Sequence, residues 1–164
     1  MKTAIYPGTF DPITYGHIDV IRKSLNIFDK LVVATTDNVN KDYHFSIEER
    51  LSIIKSSLFK DLKLDKNRIK VIAFDSLTIT LCKKYSASII IRGLGAVSDF
   101  EYEFQLAGMN KKLNKNVETI FLIVETVILG GFIKGKLSVT PPGSKVGNIF
   151  WLNPPHDERP ATGD

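Results

Sequence analysis

Five short apolar runs, separated by stretches of helical periodicity, govern what this 164-residue chain can become. Lys2–Tyr6, Leu31–Thr36, Arg68–Phe74, Ser88–Ile91 and Glu118–Ile123 are short and rich in aliphatic and β-branched residues, and they read as strands. After the first, Ile18, Ile21, Leu25 and Phe28 recur at helical spacing. Ser46, with Glu49 three residues later, predicts a capped helix through about Phe59, with Ile47, Leu51, Ile54 and Leu58 on its buried face. Leu77–Tyr85 reads as a short helix. Ser98–Leu113 reads as a longer one that opens on Asp99, Glu101 and Glu103 and closes on Lys111 and Lys112, in keeping with its dipole. This alternation predicts an α/β fold: a Rossmann-like, doubly wound, five-stranded parallel sheet with helices on both faces. Ligands of such sheets bind beyond the carboxyl ends of the strands.

Composition narrows the partners. Twenty-two basic residues against 18 acidic ones give a net charge of +4, a mild excess without a dense cluster. Small phosphorylated ligands account for it, and no aromatic-basic platform points to nucleic acid. The single Cys82 excludes an internal disulfide framework or a cysteine metal cluster, and its apolar surroundings suit a buried thiol in a reducing cytoplasm. Lys2 and Pro7 interrupt the opening, so no signal peptide is expected, and no apolar run approaches the roughly 20 residues of a membrane span. The expectation is a soluble, cytoplasmic protein of one domain.

The chemistry concentrates in Tyr6-Pro7-Gly8-Thr9-Phe10-Asp11-Pro12-Ile13-Thr14-Tyr15-Gly16-His17, between the first strand and the first helix. Pro7, Gly8 and Pro12 break regular structure, and Gly16 lets the backbone approach a ligand at a helix end whose free N–H groups favour an anion. Thr14 and His17 are spaced so that both side chains can face one triphosphate. A bland alternative is a tight strand-to-helix turn with a capping histidine. Three other positions carry charge at strand or helix ends. Lys41 sits in the polar segment after the second strand, where a loop lysine is ordinarily just solvated. Arg92 leaves the end of the fourth strand, fit either for bidentate phosphate contact or for a salt bridge to Asp99 or Glu101. Glu103 and Asn110 lie on the following helix, whose plain reading is a solvated face.

The long form of the motif, Tyr-Pro-Gly-Thr-Phe-Asp-Pro-Ile-Thr-x-Gly-His, resembles the T/H-x-G-H signature of nucleotidyltransferases and, in this extent, that of phosphopantetheine adenylyltransferases. Asp99-Phe100-Glu101-Tyr102-Glu103-Phe104 is similar to the same family's helix. The resemblance implies adenylyl transfer from ATP to 4'-phosphopantetheine with Mg²⁺, giving dephospho-CoA and pyrophosphate. It further implies a cytoplasmic homohexamer, inhibition by CoA, and no nucleic-acid or membrane partner. By the same resemblance His17, Lys41 and Thr9 are catalytic. Thr9, Lys41, Thr78, Arg92 and Asn110 bind phosphopantetheine, and Thr9, Phe10, His17, Gly93 and Glu103 bind ATP. Mg²⁺ is expected on phosphates and water, with no protein metal ligand.

Two departures qualify the resemblance. The family's Arg-Gly-Leu-Arg is here Arg92-Gly93-Leu94-Gly95, so an arginine expected on the ATP phosphates is missing. From Val124 the pattern of residues 1–123 gives way to a tail, 124–164, with five of the seven prolines and six of the eleven glycines. The tail lacks the family's Ile-Ser-Ser motif and terminal helix, although Ile149–Leu152 reads as a short strand or docking segment. A shifted reading frame or a sequence error near codon 124 would produce this pattern, and resequencing the source DNA tests it. These departures keep two alternatives in view: a phosphopantetheine or CoA binder without turnover, and a related nucleotidyltransferase acting on another phosphorylated acceptor.

Overall fold

A computed structural model of the chain describes residues 1–38, 41–95 and 100–124. The expectations for Ser98, Asp99, the Ile149–Leu152 segment and the rest of the tail beyond Val124 lie outside these residues. Strands β1 (Thr3–Gly8), β2 (Lys30–Thr36), β3 (Ile69–Phe74), β4 (Ile89–Leu94) and β5 (Glu118–Ile123) form one sheet in the order β3-β2-β1-β4-β5. Every pairing is parallel. The chain winds outward from β1 to β3, then crosses back to place β4 on the other side of β1, which opens a crevice at the carboxyl ends of β1 and β4. The predicted doubly wound α/β fold is therefore the observed one.

Strand residues alternate between two cores. Ala4, Tyr6, Leu31, Val33 and Ile91 pack with helices α1 (Tyr15–Ile27) and α2 (Ile47–Lys55) on one face. Ile5, Val32, Ala34 and Ile90 pack with Ile79, Leu81 and Cys82 of α3 (Thr78–Lys84) on the other. Both faces are covered, which is why the strands read as near-continuous apolar runs. Helix α4 (Phe100–Leu113) lies against β5 and buries little beyond Glu103.

Local signals explain most of the helix ends. Ser46 and Glu49 form the expected reciprocal capping box of α2. At the other end of α1, the Arg68 guanidinium donates to the carbonyls of Leu25, Phe28 and Asp29 at 2.6, 2.8 and 3.1 Å. Three expectations need correction. Helix α2 continues past Phe59 as a π-helical turn, Ser56–Asp61, closed by Leu62 N–H donating to Ser57 O at 3.0 Å. Its inward face is also rotated: Arg50, Ile53, Ile54, Ser57 and Leu58 are buried, whereas Ile47 and Leu51 are half-buried. Strand β4 runs through Arg92 and Gly93 to Leu94, because β5 pairs with it along that whole length.

Candidate active site

The loop from Gly8 to Thr14 turns the chain from β1 into α1. Phe10 makes the turn with a positive φ of 46°, in the left-handed region that L-residues rarely occupy, and its ring is 1% exposed. The ring lies so close over Gly8 that an added Cβ there would meet it at 2.9 Å, so only glycine fits. Phe10 in turn presents its edge to Tyr6 at 5.2 Å and to the His17 imidazole at 4.9 Å.

His17 is the third residue of α1 and completes a capping box in which imidazole replaces the usual glutamate. Thr14 N–H donates to His17 Nδ1 at 3.0 Å, while the His17 amide donates to Thr14 Oγ1 at 3.4 Å. The capping reading and the catalytic reading thus coincide. With Nδ1 accepting a backbone proton, the ring proton of the neutral imidazole sits on Nε2. Burial and, secondarily, the charge of Arg92 lower the pKa of His17 to about 4, so near neutral pH it donates without being cationic.

Thr9 connects this turn to β2. Its carbonyl accepts from Thr35 Oγ1 at 2.8 Å and from Arg50 Nη1 at 3.0 Å, and its hydroxyl lies 3.4 Å from Lys41 Nζ. Lys41 is exposed, on the segment that leaves β2. That segment is tied back to the motif by Asp11, whose carboxylate accepts the amides of His44 at 2.6 Å and Phe45 at 2.9 Å.

Arg92 approaches from β4. Its Nη1 donates to Pro7 O at 2.9 Å, and its Nε and Nη2 grip the Glu103 carboxylate, with Nε to Oε2 at 2.6 Å. Of the two partners expected for Arg92, Glu101 gives way to Glu103 among the described residues, and Asp99 lies outside them. Burial works against the Arg92 charge, but the hydrogen bond and charge of Glu103 outweigh it and raise the pKa. Among the described residues, these contacts engage three of the five guanidinium N–H groups. Behind it Tyr6 is buried, which holds its phenol protonated, an effect that Arg92 opposes. Gly93 lets β4 approach α1: a Cβ there would meet Val20 at 2.9 Å.

The structure therefore gathers Thr9, Phe10, His17, Lys41, Arg92, Gly93 and Glu103 about the carboxyl ends of β1 and β4. Thr78 opens α3, which follows β3 and packs on the sheet face opposite α1. Asn110 follows Glu103 by two helical turns, so the two share a face of α4 about 10 Å apart along its axis. Sequence reasoning missed Arg50, Asp11 and Tyr43. The one available signal was that Arg50 precedes Ile53 and Ile54 by three and four positions and so falls on the apolar face of α2.

Among the described residues, no group of three or more His, Cys, Asp or Glu side chains could hold a metal ion. Nor is any described helix long and apolar enough to cross a membrane.

Comparison with known proteins places this geometry. The cytidylyltransferase-like family model matches residues 5–146. The phosphopantetheine adenylyltransferase of Pelagibacter ubique is 61% identical over 136 residues, covering 81% of this chain and 83% of the relative. The chain belongs to the phosphopantetheine adenylyltransferase family. The family's enzyme from Desulfitobacterium hafniense is 42% identical over 159 residues, which cover 97% of this chain and 93% of the relative. Solved structures share the fold at low identity. A lipopolysaccharide core biosynthesis protein from Thermoplasma volcanium matches with a TM-score of 0.53 at 20% identity, over 76% of this chain and 97% of its own. A bifunctional NMN adenylyltransferase/ADP ribose pyrophosphatase from Francisella tularensis also gives 0.53, at 15% identity over 74% and 37%.

Proposed function

We propose that the chain transfers the adenylyl group of ATP to 4'-phosphopantetheine, releasing pyrophosphate and forming dephospho-CoA. The observation that carries this reading is the cluster of His17 Nε2–H, the Lys41 ammonium, the Thr9 hydroxyl and the Arg92 guanidinium at one end of β1, in a chain of this family. A phosphate oxygen of the acceptor attacks the α-phosphorus, and the bond from that phosphorus to the bridging oxygen breaks, its electron pair leaving with pyrophosphate. The nucleophile is already an anion, so no general base is needed. Catalysis reduces to positioning and to stabilising charge on the α-phosphoryl oxygens.

Each residue then has a role that its surroundings support. His17 donates from Nε2 as a neutral imidazole and so follows the charge of the transition state without itself titrating near neutral pH. Lys41 supplies a cation from a mobile side chain, and Thr9 donates to the same phosphate. Arg92, fixed by Glu103 and Pro7 O, receives the acceptor's phosphate on its remaining N–H groups. Phe10 and Gly93 line the nucleotide side, Glu103 shapes it through Arg92, and Thr78 and Asn110 flank the pantetheine arm. Mg²⁺ fits as an ion carried by ATP and water, since the nearest carboxylate of the motif, Asp11, is taken up by two backbone amides. When bound it neutralises the departing pyrophosphate.

The site reading extends to a cytoplasmic homohexamer subject to inhibition by CoA. Exposed Phe100, Tyr102, Phe104, Met109 and Leu113 on α4 support self-association. Pyrophosphate release by the purified chain with Mg-ATP and 4'-phosphopantetheine, with dephospho-CoA identified by mass, tests the reaction. Release well above that of His17→Ala is expected. A folded wild-type chain that binds CoA yet releases nothing would sink the reading.

A further inference from the structure

Arg50 has no place in the chemistry above, yet it is a charged side chain with 0% exposure on the apolar face of α2. Burying a guanidinium is costly unless its donors are satisfied. Here they are satisfied in an informative pattern. Nη1 lies 3.0 Å from Thr9 O, 3.1 Å from Thr35 Oγ1 and 2.7 Å from Thr36 O. Nε donates to Phe45 O at 3.2 Å, and Nη2 reaches Asp37 Oδ1 at 3.5 Å. The Tyr43 ring covers the guanidinium with its centroid 3.9 Å away, and the Tyr43 hydroxyl accepts from Asn38 N–H at 3.0 Å.

These contacts fall in three places: on the backbone of Thr9, on the exit from β2 at Thr36 and Asp37, and on Tyr43 and Phe45. The last two bracket Lys41. We propose that Arg50 is a positioning residue that sets the reach of Lys41 relative to Thr9. One rigid fork fixes both ends of the lysine-bearing segment and the loop carrying the threonine in a common frame. Asp11 does the same from the motif side through the amides of His44 and Phe45. A lysine in place of Arg50 keeps the charge but offers a point donor instead of a fork, so it cannot hold three anchor points at once. The proposal rests on the adenylyl-transfer reading, because it assigns Arg50 an effect on Lys41 and Thr9 as catalytic groups.

A double-mutant cycle tests it, with Arg50→Lys and Lys41→Ala singly and together. Misplacement of a reacting group by about 1 Å can cost on the order of 100-fold in rate, so Arg50→Lys is expected to lower kcat by up to that factor with little change in KM for ATP. In the Lys41→Ala background most of that loss should vanish, because the group being positioned is gone. Equal losses in both backgrounds would show a merely structural role and overturn the proposal. Tyr43→Leu, at a half-buried position, should give a smaller loss with the same dependence on Lys41; it decides the matter if Arg50→Lys fails to fold.

Hydrogen exchange supplies a readout independent of turnover. The amides of His44 and Phe45 should exchange faster in Arg50→Lys while those of Val32 and Val33 in the central sheet stay protected. Unchanged exchange at His44 and Phe45 overturns the anchor. A wild-type chain with no turnover sinks only the functional reading, and the exchange comparison then decides on the anchor alone.

Discussion

The two cations of the site are held in opposite ways. Arg92 is half-buried, gripped by a carboxylate and by the Pro7 carbonyl, and it leaves its strand at the centre of the fold. Lys41 is exposed, touches the Thr9 hydroxyl at 3.4 Å, and owes its position to contacts made by other residues of its segment. A fixed guanidinium presents a preformed receptor to a phosphate that keeps its charge through the reaction. A movable ammonium can follow charge that develops only as the α-phosphorus changes partners. Two arginines, one gripping an acid and one gripping carbonyls, thereby have different jobs in the proposed reading: Arg92 receives the ligand, and Arg50 holds the frame that carries Lys41.

Lys41→Ala should produce the largest effect and strike rate alone. If it serves the transition state, kcat falls by about 10²–10³. The unfolding free energy from urea titration should stay within about 0.5 kcal/mol of wild type, since the residue is exposed. A large rise in acceptor KM without a fall in kcat would erase the contrast with Arg92. Arg92→Met should do the reverse, raising acceptor KM and destabilising the fold. It strands the Glu103 carboxylate, which is 8% exposed, at a cost of about 2–3 kcal/mol once partial solvent access is allowed for. Adding Glu103→Gln should restore part of that stability but not the KM. Failure of this rescue would mean that the pair is not what holds Arg92.

His17 stands between these extremes and gives a pH test. In the unfolded chain it takes up a proton near 6.5, but in the folded chain only near 4. Between these values the unfolded state binds more protons, so stability is complete above about pH 6.5 and is lost as pH falls toward 4, by about 3 kcal/mol. In His17→Asn, which keeps an acceptor for the Thr14 amide, that portion of the pH dependence should disappear. Equal slopes for the two proteins between pH 6.5 and 4 would show that the imidazole is protonated in the folded state.

The parts of this architecture that were legible in the sequence are the local ones. Strand β5 spans Glu118–Ile123 as its apolar run indicates, and the Ser46/Glu49 box starts α2 where the capping rule puts it. The Thr14/His17 spacing is legible too, although that spacing alone does not say that the imidazole caps the helix through Nδ1. What escaped notice depends on contacts between residues distant in sequence. Asp11 binds amides more than thirty positions away, and Arg50 binds the carbonyl of Thr9 forty-one positions away; neither pairing leaves a periodic trace. The apolar run places the end of β4 at Ile91, because Arg92 and Gly93 break it. Its backbone ladder with β5 continues regardless, since Glu103 neutralises the arginine and Gly93 makes room for Val20.

The smallest expected effect concerns the position three residues beyond Arg92. Gly95 follows the end of β4 where the family resemblance calls for a second arginine. If Arg92 is the fixed receptor for the acceptor's phosphate, a guanidinium at 95 would extend the same fixed mode of binding to the nucleotide and leave Lys41 as the movable charge. Gly95→Arg should then tighten ATP binding by about 1.5 kcal/mol, the lower end for a charge-assisted contact, because part of the gain is spent ordering a long side chain at a half-buried position. Isothermal titration with ATP reads this directly, and acceptor KM should not move. An equal tightening of both ligands would mean that the new charge acts as a diffuse field over the crevice, and the division between the Arg92 and Lys41 sides would then be less sharp than their contacts imply.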